Sequence, residues 1–247
     1  QGRVPILVGV GETKTRRAVI LAEKIVEAGV DTLVASAPFY YHYTQNELLS
    51  HFTTIARATE VPLLLYNIPQ LVSHTLAPET VAHLADVENI LGLKDSAGDM
   101  DVFQSYLNVK RDHPDFGIYQ GAEPMAAGRL VRGADGVVLG LANIAPQLCV
   151  ELYHVATKDR WSDGLWDLQD RLIHLASIQT HKSWLAGLKT GVSLLGLCKA
   201  KISSPFEPLS AKQVASVHQT LCEIGLNPPL LSIGRDSLDK TGGVEGS

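Results

Sequence analysis

A lysine stands at the end of an apolar run, Asn89-Ile90-Leu91-Gly92-Leu93-Lys94-Asp95-Ser96. If that run is a strand whose Ile90 and Leu93 wall the lysine, the terminal amine loses water. Desolvation disfavours the ammonium form and leaves a free amine able to attack a carbonyl carbon. The ordinary alternative is a lysine that lays its stem on apolar surface and sends its head to water. The preceding apolar run ends in Tyr66-Asn67-Ile68-Pro69, and the one before it in Pro38-Phe39-Tyr40-Tyr41. A phenol beside such an amine can relay a proton to and from a substrate oxygen, although a single tyrosine is more often a core ring whose hydroxyl finds a partner. Three successive run ends carrying a phenol or an amine argue for a catalytic floor more strongly than any one residue does.

Two later runs add room and polarity. Gly121-Ala122-Glu123 closes one, and Gly136-Val137-Val138-Leu139-Gly140 forms the next. Glycines there let backbone approach a ligand closely. Glu123 has two readings: a hydrogen bond to substrate hydroxyls, or a carboxylate satisfying a helix start. Histidines are scattered, with no paired ligand spacing, so no metal is expected. No cofactor is expected either, because an amine can act as electron sink through an iminium.

These residues need elements to hold them. Short apolar runs alternate with amphipathic stretches, the pattern of βα units around a parallel sheet. Strands are predicted at Pro5–Val10, Thr32–Ala37, Pro62–Asn67, Ile90–Asp95, Gly117–Gly121 and Gly136–Gly140, each nearly continuously apolar as if buried on both faces. In the first helical stretch Ala18, Leu21, Ala22, Ile25 and Ala28 form one apolar stripe. Gly29 and Gly133 stand where helices would end in a left-handed cap. After the sixth strand only helices are predicted, over about 146–158, 161–179, 182–196 and 210–225.

Six strands fall short of the eight that close a standard α/β barrel. An open doubly wound sheet is the competing reading, but Gly9-Val10-Gly11-Glu12-Thr13 is too short to cradle a pyrophosphate. A phosphate-binding barrel is weaker still, since Gly140-Leu141-Ala142-Asn143 is only suggestive.

The 247 residues suit one such barrel, and 45% apolar content suffices for a large core. A net charge of -5 without a basic block argues against nucleic acid or polyanions. Cys149, Cys198 and Cys222 lie far apart without C-x-x-C spacing. They read as reduced, mostly buried thiols in a cytosol-like compartment. No apolar run approaches the ~18 residues of a membrane span. The start lacks methionine and runs straight into Val4–Val10, as if the chain were entered partway through; a mitochondrial location therefore stays open beside the cytoplasmic one. The expected division is a partial barrel over 1–160, a helical extension over 161–226 and a mobile tail over 227–247.

Tyr66-Asn67-Ile68-Pro69 and Gly92-Leu93-Lys94-Asp95-Ser96-Ala97-Gly98-Asp99 resemble the dihydrodipicolinate synthase and N-acetylneuraminate lyase family, as do Pro38-Phe39-Tyr40-Tyr41, Gly133-Ala134-Asp135-Gly136-Val137 and the helical C-terminal appendix. The resemblance runs in one register from Arg3 to about Leu226. It implies a TIM-type (β/α)8 barrel, here lacking its first two βα units, with a three-helix appendix. It also implies class I aldolase or lyase chemistry on pyruvate, without a cofactor, in a homo-oligomer, a tetramer or dimer. By position, Lys94 forms the imine and Tyr66 shuttles the proton. Tyr40 matches a tyrosine that, in the synthase branch, reaches into a neighbouring subunit's site. Val138 and Gly121 match positions lining the pyruvate site, and Ser96, Glu123 and Gly121 match contacts to the distal part of the substrate in the lyase branch.

Two departures bear on function. The family's Gly-Thr-Thr-Gly-Glu loop, whose hydroxyls hold the 2-oxo acid carboxylate, is absent from the sequence. The synthase branch also carries an arginine two residues past the proline, where this chain has Leu71, which cannot clamp a carboxylate. The resemblance therefore favours reversible cleavage of a 2-oxo-3-deoxy sugar acid or 4-hydroxy-2-oxo acid to pyruvate and an aldehyde. The alternatives are 4-hydroxy-tetrahydrodipicolinate synthase, which joins pyruvate and aspartate semialdehyde in lysine biosynthesis, and a non-catalytic truncated relative.

Overall fold

The computed structural model describes residues 2–228; the residues from 229 on, which carry most of the expected tail, lie outside that range. Six strands form one curled, all-parallel sheet whose spatial order follows the chain. They are β1 (Leu7–Gly9), β2 (Thr32–Ser36), β3 (Leu63–Asn67), β4 (Ile90–Asp95), β5 (Gly117–Gln120) and β6 (Gly136–Val137). A strand order that never reverses leaves no switch point, which removes the doubly wound alternative. Helices return the chain between strands: α1 (Thr15–Glu27), α2 (Gln45–Arg57), the short α3 (Pro69–Val72), α4 (Pro78–Ala85), α5 (Met100–Val109) and α6 (Ala126–Arg132). After β6 come α7 (Pro146–Lys158), α8 (Asp163–Ala176), α9 (Trp184–Leu194) and α10 (Ala211–Glu223).

Local signals account for most boundaries. The Thr44 side chain accepts from the Glu47 N–H, and the Glu47 carboxylate accepts in return from the Thr44 N–H at 2.7 Å, a capping box that starts α2. Asp99 caps α5 through the N–H groups of Asp101 and Val102. Gly29 (φ +84°) and Gly133 (φ +112°) leave α1 and α6 in the left-handed region that a side chain disfavours.

Period-two alternation divides the sheet into two faces. Leu33, Leu63, Leu65, Leu93 and Ile118 are buried on the face that meets the helices, together with Phe52, Ile55, Val81, Leu84 and Phe103. Burial on both faces, expected for every strand, fails at the sheet edge. Leu7 of β1 is exposed, because β1 pairs only with β2. β6 is also shorter than its apolar run, since 3-10 turns take over at Gly140–Asn143.

Residues through Ile173 make one compact unit and those from His174 a second. In the second, α9 packs so closely on the turn Ser177–Thr180 that a Cβ on Gly187 would lie 1.9 Å from the Ile178 carbonyl oxygen. Ser210 and Gln213 form the capping box of α10. Among the described residues no helix is long and apolar enough to cross a membrane.

Candidate active site

Tyr66 and Lys94 are direct partners across the β3–β4 ladder, and Tyr119 is the partner of Lys94 across β4–β5. Parallel partners point to the same face, so these three side chains share the concave face, away from the helices. The Lys94 Nζ lies 4.1 Å from the Tyr66 ring centroid, in the geometry of a cation over a π face. Both residues are half-buried. Leu93 does not wall the amine as the sequence suggests. It alternates to the helix face and is fully buried there. The neighbours of Lys94 are instead glycines, with Gly92 two residues back on the same face and Gly121 beside its stem.

Gly121 is the tightest point of the site. A Cβ there would meet Lys94 Cε at 2.7 Å and Ser96 Oγ at 2.1 Å. The Gly121 N–H donates to the Asp95 carbonyl at 2.8 Å, and the Ser96 N–H to the Asn67 carbonyl at 2.9 Å, so the strand ends continue the ladder for one more bond. The Ser96 hydroxyl is buried and has no hydrogen-bond partner among the described residues. Val138 follows β6, is partly exposed, and donates its N–H to the Gln120 carbonyl at 2.8 Å.

Glu123 opens a 3-10 turn, and its carboxylate accepts from the Leu141 N–H at 3.4 Å, linking the loops after β5 and β6. Its charge acts with burial to push the Cys149 thiol up to about 11, burial being the larger cause. Tyr40 behaves differently from the rest. It lies on the loop after β2 with φ +91°, a strained backbone for a non-glycine residue, and the residue is 85% exposed. It stacks edge-on to Tyr41 at 4.9 Å rather than over Lys94. The Tyr43 N–H donates to His74 Nε2 at 2.7 Å and holds this loop against the segment after β3.

Several site-building residues escape a sequence reading. Gln70 donates from Nε2 to the carbonyls of Ser96 and Ala97, at 2.9 and 3.1 Å, and so ties the loop after β3 to the one after β4. Tyr119 fills the concave face beyond Lys94, its ring folded back over Gly117 and against Gly136. Burial raises its phenol above the usual range, with Asp135 and Tyr153 adding to the effect. Behind the site Asp95 and Arg129 form an ion pair of 2.6 Å with both side chains buried. Period-two alternation could have revealed the outward position of Asp95, but nothing local marks Arg129.

The model of the dihydrodipicolinate synthetase family matches residues 1–224. The 4-hydroxy-tetrahydrodipicolinate synthase of Hyphomonas neptunium is 33% identical over 226 residues, covering 92% of this chain and 77% of that protein. The dihydrodipicolinate synthase structure from Bacteroides thetaiotaomicron superposes with a TM-score of 0.83 at 31% identity, over 90% of this chain and 76% of that one. YagE, a prophage protein of the dihydrodipicolinic acid synthase family from E. coli K12 solved in complex with pyruvate, gives a TM-score of 0.84 at 27% identity, over 92% and 77% of the two chains. With a family match over nearly its whole length and a curled parallel sheet that carries Lys94 and Tyr66 side by side at its strand ends, the chain belongs to the dihydrodipicolinate synthetase family.

Proposed function

We propose that this family member is a class I lyase that uses Lys94 to form an imine with a 2-oxo acid, and that it reversibly cleaves a 2-oxo-3-deoxy sugar acid or 4-hydroxy-2-oxo acid to pyruvate and an aldehyde. The observation that carries the reading is the pairing of Lys94 with Tyr66 at adjacent strand ends. Nζ adds to the C2 carbonyl, Tyr66 gives its hydroxyl proton to the departing oxygen, and water leaves, giving an iminium beside a Tyr66 phenolate. Tyr66 takes the proton of the C4 hydroxyl, directly or through a relay. The C3–C4 bond then breaks, and its electron pair enters the iminium to form an enamine as the aldehyde departs. Protonation at C3 and hydrolysis return pyruvate and the free amine. The unpartnered Ser96 hydroxyl, the bare Gly121 backbone packed against the Lys94 stem and the exposed Val138 are consistent with substrate contacts. Glu123 fits this role less directly because it already binds the Leu141 N–H.

On this reading the six strands correspond to the last six of an eight-stranded barrel, and the helices from about residue 161 to an appendix. The assembly is a cytoplasmic homo-oligomer in which the solvent-facing Tyr40 reaches a neighbouring subunit. Condensation of pyruvate with aspartate semialdehyde is the second reading, favoured by the names of the relatives and opposed by Leu71, an apolar side chain 64% exposed. Incubation with pyruvate, reduction with borohydride and peptide mass spectrometry test the proposal. A pyruvyl adduct on the Lys94 peptide of the full-length protein is the expected result, and a folded, full-length protein that gains no adduct overturns it.

A further inference from the structure

Three adjacent strands end in the same two-residue pattern. β3 ends Tyr66-Asn67, β4 ends Lys94-Asp95 and β5 ends Tyr119-Gln120. The first residue of each pair points to the concave face and the second to the helices, where Asn67, Asp95 and Gln120 are all buried polar groups. These three outward side chains are joined. Asn67 Nδ2 donates to Asp95 Oδ1 at 2.7 Å. Arg129, fully buried on α6, donates from Nη1 to Asp95 Oδ2 and to Gln120 Oε1, both at 2.6 Å, and its guanidinium carbon lies 4.1 Å from the Phe103 ring centroid.

The same groups reach up into the loops that surround the site. Arg129 Nη2 donates to the Asp99 carbonyl at 3.0 Å, and the Ala97 N–H donates to Asp95 Oδ1 at 3.2 Å. Gln120 Oε1 accepts from the Gly121 N–H at 2.9 Å. Asn67 Oδ1 accepts from the Leu76 N–H at 3.0 Å, and the Tyr106 hydroxyl closes the chain onto the Leu76 carbonyl at 2.5 Å.

An apolar layer would fill this space with at least as much stability, because the desolvation of a buried ion pair offsets most of its attraction. What the polar layer adds is direction. Each bond has one geometry, so the relative height of three strand ends is set where sliding apolar contacts would tolerate a shift. We infer that Asp95 and Arg129, with Asn67 and Gln120, are positioning residues that hold Lys94 in reach of Tyr66 and Gly121. This inference rests on the imine role proposed for Lys94.

The test compares the protein with a double variant, Asp95→Leu with Arg129→Met, which removes both charges together and strands neither. Both are incubated with pyruvate over a range of concentrations, reduced with borohydride and sampled over time at the Lys94 peptide. The double variant is expected to melt close to wild type and to saturate at a similar pyruvate concentration, yet to label about 10- to 100-fold more slowly, the scale of a small misplacement. Arg129→Lys keeps a charge opposite Asp95 without the fork to Gln120 and Asp99, and its rate is expected between the two. Equal labelling rates in wild type and double variant overturn the inference. Absence of label on wild type overturns the imine reading itself, and this inference with it. If the double variant does not fold, Gln120→Met cuts the link from Arg129 to β5, together with the bonds of Gln120 to the Gly121 N–H and the Ala122 carbonyl, and leaves the Asp95–Arg129 pair in place; it is measured in the same way, with slower labelling supporting the inference and an unchanged rate overturning it.

Discussion

Gly121 and Lys94 are matched by subtraction: the lysine stem occupies the space that a side chain at Gly121 would take, with Cε 2.7 Å from the position of the missing Cβ. The competing neighbour, Ser96 Oγ, would be closer still at 2.1 Å. A methyl group at 121 must therefore displace both. Gly121→Ala is expected to leave the fold intact and to lower imine trapping by about 10-fold or more, because a small shift of the reacting amine is costly. Trapping at the wild-type rate would show that the lysine stem yields freely.

On the proposed mechanism Lys94 and Tyr66 should separate in a mutant series, because one would bond the substrate and the other would move a proton. Lys94→Ala is expected to abolish the borohydride-trapped adduct while circular dichroism stays unchanged. Tyr66→Phe keeps the ring that faces Nζ and removes only the hydroxyl. It should still trap pyruvate but lose about 10²- to 10⁴-fold in cleavage rate, the usual size of a general acid–base contribution. Cleavage by Tyr66→Phe at the wild-type rate would remove Tyr66 from the proton path.

On the proposed function, Leu71 tests which aldehyde is taken. It is exposed on α3, four residues past the end of β3. Leu71→Arg adds a forked cation at that rim. Turnover with aspartate semialdehyde and pyruvate is expected to rise, and cleavage of uncharged-tail 2-oxo-3-deoxy acids to fall or stay level. Parallel kinetic assays with both substrates decide this, and no gain with the semialdehyde would show that the rim at residue 71 does not read the carboxylate.

His51 makes stability depend on pH. It is buried beneath β2, with Nδ1 2.9 Å from the Thr15 hydroxyl. Burial pulls its pKa down from 6.5 to about 4, partly countered by the Ser36 backbone. The unfolded chain thus takes up the proton first. Stability is full above about pH 6.5 and declines as pH falls, and by about pH 4 this contribution, about 3 kcal/mol, is lost. His51→Gln should flatten the decline, so that urea titrations at about pH 7 and about pH 4.5 differ less in the variant than in wild type. An unchanged difference would place the acid sensitivity elsewhere.

Much of this architecture is legible along the chain. β4 spans Ile90–Asp95, as its apolar run implies, and the other five strands overlap their runs. The stripe of α1 buries Ala18 and Ala22, and glycines end α1 and α6. Such features depend on residues within a turn or two of each other, and hydrophobic periodicity and left-handed caps act over that distance. The candidate amine and its phenol are legible for the same reason, since each closes an apolar run.

Which strands lie beside which, and which way each residue faces, are decided only in three dimensions. β1 has the composition of a buried strand, yet Leu7 is exposed because the sheet offers it one neighbour. Leu93 abuts Lys94 in sequence and is removed from it by the pleat. Arg129 is the clearest case. On its own helix it is an ordinary cation between Gly128 and Leu130, expected in solvent. It is fully buried because Asp95 and Gln120, from two different strands, supply acceptors at 2.6 Å to this helical residue. A charge can leave water only where partners are already arranged to receive it, and a linear sequence does not contain that arrangement until the strands have paired.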